Sequence, residues 1–402
     1  MKLLERDLKG LEANIWKIYL FRLFFGFFLS IPVIVLFWKA NGLSMFQIMV
    51  LQSLFSIAVI SLEVPTGYFA DRYGRKRTLL IASVFATAGI ATYSVGHSFL
   101  EFLLGEVLWA VGVTLISGAD SAMIYDTLAE LGEEARYQEV WGRASSYAMF
   151  SAAAAALLGG LIADFNLRWT LYVQVPFMAA MIPVAYSLRE PEHHEEVGEE
   201  GQETLKAIIR KVMKKADLRW LMIYAAFIYA GLQTAFWMYQ PYFELSGLPV
   251  AAFGAAYAAF NIVSAVSSKY AHVVESWLGK TLSLVLLLVL LVASLMLMGR
   301  FVFFFSFAFI FLHQFVRGFQ KPVISDYVNR LVSSGERSTV LSTRSLLGRL
   351  FQAGSLPVFG LFIDFYSVPQ ALLLLAVTTL AGGAVFLFLL YTEDVIKFGP
   401  EF

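Results

Sequence analysis

The stretch GYFADRYGRK, residues 67–76, is a charged turn between two long apolar segments. Gly67 and Gly74 allow the chain to bend tightly where it leaves a membrane. Basic residues, among them Arg72 and Arg75, hold such a turn on the cytoplasmic side. Asp71 offers a carboxylate to a helix N-terminus or to a nearby basic side chain. The stretch therefore predicts a cytoplasmic turn whose charges tie neighbouring membrane helices together.

The composition is that of a membrane protein. Hydrophobic residues make up 59% of the 402 residues, charged residues 15%, and 37 residues are phenylalanine. Most of the chain must then face lipid or a core within it, which excludes a soluble protein. The chain has no cysteine, which excludes disulfides and thiolate metal sites. Residues 1–11 alternate charge with leucine, so no removable signal peptide is expected.

Twelve apolar runs are long enough, at about 20 residues each, to cross a bilayer. They span approximately 15–38, 46–69, 78–97, 99–127, 143–165, 169–188, 221–243, 250–273, 281–298, 301–328, 340–363 and 367–391. We expect an N-terminal six-helix bundle at 1–188, a cytoplasmic linker at 189–219 and a C-terminal six-helix bundle at 220–402. Basic residues concentrate in the loops of one side, so the positive-inside rule predicts that both termini are cytoplasmic.

The predicted linker has two parts of different chemistry. Residues 190–203 are acidic and read as a solvated connection, in which the pair His193 and His194 could also bind a metal. In residues 205–215, apolar side chains fall on one helical face and basic ones elsewhere. This pattern predicts an amphipathic helix lying on anionic membrane lipid.

The two halves of the chain repeat at an offset of about 200 residues. The clearest match is GLIADF at 160–165 with GLFIDF at 360–365. Further pairs, written first half to second, are Gly118 with Gly318, Asp126 with Asp326, Arg136 with Arg337, and Arg143 with Arg344. The turn at 67–76 has a partly matching copy in the second half, with Glu275 in place of Asp71 and Gly279-Lys280 in place of Gly74-Arg75. The repeat predicts two bundles of like construction.

Residues 67–76 match the pattern G-x-x-x-D-R-x-G-R-K/R and so resemble the loop signature of the major facilitator superfamily. The resemblance implies an all-α membrane fold of twelve helices in two pseudo-symmetric bundles, with helices one, four, seven and ten lining a central cavity. It also implies a secondary transporter that works by alternating access. The resemblance is to the bacterial proton-coupled branch that moves drugs and other organic solutes.

Deeply placed charges are expensive in a bilayer and indicate function. Arg22 and Asp120 each lie seven or eight residues from the cytoplasmic end of their predicted helices, a depth of roughly 10–12 Å at 1.5 Å per residue. An ion pair between them is therefore predicted, either as a tie between helices or as a pair that a proton or substrate breaks. Glu106 stands where the family has an arginine. We expect it either to carry coupling protons, with Asp120, or to be a wetted residue in the outer half of its helix.

Two further sets of residues are expected to act in transport. The substrate cavity is predicted to include Arg22, Gln233, Trp237, Tyr239, Gln240, His313, Gln314 and Arg317. A cytoplasmic gate, implied by the family resemblance, is predicted to include Gly67, Asp71, Arg72, Gly74, Arg75, Asp126, Glu275, Asp326 and Arg344. The same gate contacts could also be static stapling of loops.

The residues favour proton-coupled export of a small organic solute, though only slightly, since residues 151–160 keep the glycines of an antiporter motif without its proline. Uptake of an organic anion or nutrient, by symport or facilitated diffusion, stays open, as does a membrane sensor that has lost transport. The sequence lacks the motifs of ATP hydrolysis, of metal-dependent hydrolysis and of nucleic-acid binding. We expect a non-enzymatic monomer of a prokaryotic plasma membrane, with no cofactor.

Overall fold

The computed structural model describes residues 2–192, 214–332 and 337–396. Within these ranges the regular structure is helical. The helices of the first half are α1 (Lys2–Gly26), α2 (Ile34–Ala40), α3 (Met45–Tyr73), α4 (Arg75–Val95), α5 (Phe99–Glu130), α6 (Tyr137–Phe165), α7 (Leu167–Ala179) and α8 (Met181–Ser187). Those of the second half are α9 (Ala216–Phe236), α10 (Tyr239–Ser246), α11 (Val250–Lys269), α12 (Ala271–Arg300), α13 (Ile310–Leu331), α14 (Arg337–Phe365) and α15 (Val368–Thr392).

Nine helical segments of the described residues are long and apolar enough to cross a membrane. A tenth arises if α9 and α10, which meet at a bend of 45°, form one broken span. The predicted runs 15–38 and 301–328 are not among them. The first is interrupted between Gly26 and Ile34. The second divides into a short 3-10 helix, Phe304–Phe309, and α13, which carries several charged and amide side chains. The all-α membrane fold is confirmed, whereas the count of twelve spans stays a prediction.

The described chain forms two compact units. The first comprises residues 2–43, 54–192 and 250–257, and the second comprises residues 44–53, 214–249, 258–332 and 337–396. Each unit thus includes the first turns of a helix whose remainder lies in the other. The predicted boundaries at 188 and 220, and the linker between them, stay predictions. His193, His194 and most of the expected amphipathic helix lie outside the described residues.

Small residues set the helix packing of the first unit. A Cβ on Gly112 of α5 would lie 2.8 Å from the backbone nitrogen of Ala86 in α4, and one on Gly159 of α6 would lie 2.0 Å from the carbonyl oxygen of Leu29. The start of α11 approaches α6 equally closely, since a Cβ on Gly254 would lie 2.0 Å from the carbonyl oxygen of Ala156. The glycines near the end of α6 therefore serve close helix approach.

The second unit uses the matching residues of the repeat. A Cβ on Gly360 of α14 would lie 2.8 Å from the carbonyl oxygen of Met45, at the start of α3. The carboxylate of Asp364 accepts hydrogen bonds from the backbone nitrogens of Met45 and Phe46, at 2.9 Å each. These nitrogens have no hydrogen-bond partner within the helix, so the carboxylate supplies one. Its negative charge is also stabilised by the positive end of the helix dipole.

The predicted bend at Gly67 is wrong, because Gly67 lies inside α3, which continues to Tyr73. The chain turns at Gly74, and this turn has a counterpart in the second half. Gly74, immediately before α4, has φ +90° and ψ 159°. Gly279, its predicted counterpart inside α12, has φ +71° and ψ 175°. Positive φ with extended ψ is a conformation that essentially only glycine adopts, which explains why glycine stands at both positions.

Candidate functional site

Arg22 of α1 and Asp120 of α5 form the ion pair that their depths predict. A guanidinium nitrogen of Arg22 lies 2.7 Å from Oδ2 of Asp120, and the two side chains are 18% and 4% exposed. The guanidinium also lies 4.9 Å from the ring centre of Trp141 in α6, within the range of a cation–π contact. Three helices of the first unit therefore meet at one nearly buried charge pair.

A break in α5 positions the carboxylate of this pair. Ser117 has ψ 115° and Gly118 has φ +91°, both outside the helical range. Asp120 follows two residues later, and its Oδ1 accepts a hydrogen bond of 2.7 Å from the backbone nitrogen of Ser121. The carboxylate thus sits at the start of the second segment of α5, where helix nitrogens lack helical partners. Broken helices of this kind occur at ion and substrate sites of membrane transporters.

Glu106 lies elsewhere in the first unit. It is 3% exposed and accepts a hydrogen bond from the hydroxyl of Tyr93 in α4. The two helices approach closely here, since a Cβ on Gly105 would lie 3.3 Å from the carbonyl oxygen of Gly89. Glu106 therefore occupies the interface between α4 and α5, and the structure does not bring it to the Arg22–Asp120 pair.

The second unit holds a chain of polar side chains between α10 and α13. The hydroxyl of Tyr239 hydrogen-bonds to Nδ1 of His313 and accepts a bond of 3.1 Å from Nε2 of Gln314. Arg317 donates to Oε1 of Gln314 at 3.3 Å. Tyr239, His313 and Gln314 are fully buried. Tyr239 opens α10 directly after the bend, so the bend aims this hydroxyl at α13.

A cavity of about 550 Å³ opens beside this chain. Its wall is formed by residues of α9, α13 and α14: Ala225, Ala226, Tyr229, Leu232, Gln233, Arg317, Gln320, Lys321, Ser325, Arg344, Ser345 and Gly348. Gln233 and Arg317, which are predicted for the substrate cavity, line this cavity, and their role in substrate binding stays a prediction. Arg344, which was expected at the gate, also lines this wall. Trp237 and Gln240 are not among the lining residues, and Gln240 is buried in α10.

The charged turn of the first half centres on Arg75. Its guanidinium bonds to Asp71 at 2.6 Å and to Asp126, near the end of α5, at 3.2 Å. The predicted contacts among Asp71, Arg75 and Asp126 are confirmed, while their role as a gate stays a proposal. Arg72 instead donates to the hydroxyl of Tyr68 at 2.9 Å.

Glu190 completes this turn and was missed by sequence reasoning. Its carboxylate accepts hydrogen bonds from the backbone nitrogens of Arg75 and Lys76, at 2.5 and 2.9 Å. It therefore caps the first turn of α4 from a position 115 residues later in the chain. No local pattern identifies such a cap, because its partner lies far away in sequence.

The predicted counterparts in the second half are not joined to one another. Glu275 accepts a hydrogen bond of 2.9 Å from Tyr327, Asp326 pairs with Arg330 at 2.7 Å, and Arg344 donates to Ser325 at 3.1 Å. Lys280 lies 5.5 Å from the ring centre of Tyr327. Tyr327 thus touches both Glu275 and Lys280, in a position close to that of Asp126 in the first half.

The described residues contain no group of three or more His, Asp or Glu side chains that could hold a metal. They hold ion pairs, a chain of polar side chains and a cavity with cationic side chains in its wall. Such groups can bind a solute, exchange a proton or change partners.

Comparison with known proteins agrees with this architecture. The profile of the Major Facilitator Superfamily matches residues 18–304. The chain is 21% identical over 355 residues to the uncharacterized MFS-type transporter YxaM of Bacillus subtilis (strain 168). The matched segment covers 86% of this chain and 88% of YxaM.

Two further relatives match shorter segments. The lysophospholipid transporter LplT of Photorhabdus laumondii is 30% identical over 124 residues, which are 31% of this chain and 29% of LplT. The quinolone resistance protein NorA of Staphylococcus aureus is 24% identical over 118 residues, which are 29% of this chain and 30% of NorA.

Among solved structures, the nucleoside transporter NupG superposes with a TM-score of 0.78 at 14% identity, covering 96% of this chain and 100% of NupG. At that identity the likeness shows a shared fold, without showing a shared substrate.

Proposed function

The chain belongs to the Major Facilitator Superfamily, and on that premise we propose that it is a proton-coupled transporter of a small organic solute, working by alternating access in a prokaryotic plasma membrane. Membership makes it a multi-pass membrane transporter and not an enzyme. The observation that supports proton coupling is the nearly buried Arg22–Asp120 pair at the break of α5. The proposal places both termini in the cytoplasm.

Asp120 is the proposed proton carrier. A proton that binds Oδ2 of Asp120 neutralises the carboxylate and removes the attraction that holds Arg22. The guanidinium then lacks its counter-charge, which for a buried pair costs roughly 3–5 kcal/mol. That free energy can drive a rearrangement of α1 against α5 or the recruitment of another anionic group. When the proton leaves, the pair forms again and the original arrangement is restored.

Glu106 remains a second candidate for proton transfer. It would exchange its proton through the Tyr93 hydroxyl, which is its described neighbour across the α4–α5 interface. This position favours a tie between the helices over a role in the Arg22–Asp120 exchange. Substitution of each carboxylate separately distinguishes the two roles.

The charged turn is the proposed cytoplasmic gate. Arg75 holds Asp71 and Asp126 together, while Glu190 holds the start of α4. Release of the Arg75–Asp126 contact would detach the charged turn from the end of α5 while the packing between α4 and α5 is kept. A network that can break at one contact while keeping the other is suited to a conformational switch.

The direction of transport is proposed as export. The segment shared with the quinolone resistance protein NorA supports export, and it covers less than a third of this chain. Uptake is the second candidate, and the fold shared with the nucleoside transporter NupG is compatible with it. The sign of proton movement separates export by antiport from uptake by symport.

The test is proton movement in proteoliposomes that contain the purified protein. The interior pH is followed while amphiphilic cations, organic anions and sugars are added in turn. Asp120→Asn should abolish transport driven by a pH gradient but preserve solute counterflow, because exchange needs no net proton transfer. Asp164→Asn is the matched control, because it makes the same change at an exposed carboxylate of α6. Driven transport that persists in Asp120→Asn would refute Asp120 as the proton carrier.

A further inference from the structure

The cavity of the second unit carries three cationic side chains. Arg317 and Lys321 lie four residues apart on α13, and Arg344 lies on α14. No carboxylate is found among the twelve described residues that line this cavity. The described contacts of Arg317 and Arg344 are to neutral groups, the amide oxygen of Gln314 and the hydroxyl of Ser325. The cavity therefore concentrates positive charge without a balancing anion in its wall.

The repeat shows that this charge is peculiar to the second half. At the offset of 200 residues, Arg317 corresponds to Ser117 and Lys321 to Ser121. Asp120, the carboxylate of the first unit, corresponds to Gln320, which lines the cavity. On this helix the second half thus carries two cations and an amide where the first half carries two serines and an acid.

The third cation makes the same contrast. Arg143, the counterpart of Arg344, is paired with Glu139 at 2.8 Å. Arg143 and Arg344 are 201 residues apart, and at that offset Glu139 corresponds to Val340, a buried apolar residue. Arg344 consequently has no carboxylate at the position that neutralises its counterpart.

The side chains are arranged to meet a ligand from several directions. Arg317 and Lys321 are exposed to the cavity and Arg344 is half-buried. Residues four apart on a helix project from the same face about 6 Å apart along the axis. Guanidinium groups bind carboxylate and phosphate oxygens through paired donors, while a lysine supplies a point charge. Amide and hydroxyl groups of Gln233, Gln320 and Tyr229 complete the polar wall.

We propose that this cavity binds the phosphate group of an organic phosphate, held by Arg317, Lys321 and Arg344. A phosphate monoester carries close to two negative charges at neutral pH, whereas a carboxylate carries one. The phosphate therefore balances the three cations better than a single carboxylate does. A volume of about 550 Å³ accommodates the phosphate together with an organic body. Ala225, Ala226 and Leu232 give that body an apolar surface. The phosphate could be that of a soluble ester or of a lipid headgroup.

This inference deepens the proposed function, because it names the class of solute for the same transporter. It is tested by equilibrium binding, which does not require transport. Phenyl phosphate is titrated into the purified protein by calorimetry, with benzyl alcohol as the neutral analogue. We expect phenyl phosphate to bind at least tenfold more tightly, and its affinity to fall as salt is raised.

The cations are tested by Arg317→Gln, Lys321→Gln and Arg344→Gln. Each should weaken binding of phenyl phosphate by roughly tenfold or more, since each removes a charge-assisted contact. Arg300→Gln is the matched control, because it removes one exposed charge of the same unit outside the cavity. Arg317→Lys keeps the charge and should retain part of the affinity, which separates a lost contact from a misfolded variant.

Competition by a lysophospholipid and by inorganic phosphate identifies the source of the phosphate, and displacement by either supports the site. Equal affinity for phenyl phosphate and benzyl alcohol would overturn the inference, as would equal weakening by Arg300→Gln and Arg317→Gln. Phosphate binding without solute flux would refute the proposed transport while the anion site stands. Proton-coupled flux of cations or sugars without phosphate binding would refute the site and leave transport intact.

Discussion

Removing either partner of the Arg22–Asp120 pair should destabilise the first unit far more than removing both. In Asp120→Ala the guanidinium keeps its place near Trp141 but loses its counter-charge. A broken buried pair costs about 3–5 kcal/mol. Because Arg22 is 18% exposed and keeps its aromatic contact, we expect the lower end, about 3 kcal/mol. That free energy changes the unfolding equilibrium roughly 150-fold, at about 1.4 kcal/mol per tenfold.

The double variant Arg22→Leu with Asp120→Ala should recover most of this loss, since no unpaired charge remains and a buried ion pair replaced by apolar groups is often close to neutral. The four proteins form a double-mutant cycle, measured by reversible denaturation in mixed micelles. With about 3 kcal/mol lost in each single variant and most of it recovered in the double variant, we expect a coupling free energy of about 5 kcal/mol between the two positions.

The pair Arg143–Glu139 supplies an internal control. Its side chains are 62% and 47% exposed, and the residues lie four apart on α6. The same cycle there should give only about 0.3–0.5 kcal/mol. If the cycle for Arg22 and Asp120 gave a coupling as small as that of the exposed pair, the reasoning from burial would be refuted.

Three further substitutions test the packing and the caps. Glu190→Ala should weaken the start of α4 by about 0.5–2 kcal/mol, seen as faster hydrogen exchange at its first amides, and unchanged exchange would contradict the capping role. Gly254→Leu should destabilise the first unit by roughly 1–3 kcal/mol or more in a denaturation assay, because its Cβ would lie 2.0 Å from a carbonyl oxygen. Gly142→Leu should be tolerated in the same assay, because the space around Gly142 is open. Asp364→Ala should cost about 0.5–2 kcal/mol by releasing the first amides of α3, and a loss below that of Gly142→Leu would rule out the cap.

Depth and repeat were the most productive sequence signals. Arg22 and Asp120 have similar predicted depths on neighbouring helices, where side chains can meet, and they form an ion pair. Gly279 stands at the position in the second half that corresponds to Gly74, and both glycines adopt positive φ. Each of these predictions needed only a position along a helix or a residue type that the backbone demands.

Contacts that depend on which way a helix faces could not be predicted from the sequence. Glu106 packs against Tyr93, and Arg344 lines a cavity instead of meeting Asp326. Neighbouring residues on a helix point about 100° apart, so a partner depends on rotation of the helix about its axis. A sequence pattern that is apolar all round gives little information on that rotation.

The sequence by itself determined the membrane class, the repeat of the two halves and the turn at Gly74. These follow from local composition, because apolar length, basic loops and glycine positions act within a few residues of where they are written. Only the tertiary structure decided that Glu190 caps α4, that α5 breaks before Asp120, and that three cations share one cavity wall. Each of these depends on side chains far apart in the chain being brought together, which helix packing sets and no local pattern encodes.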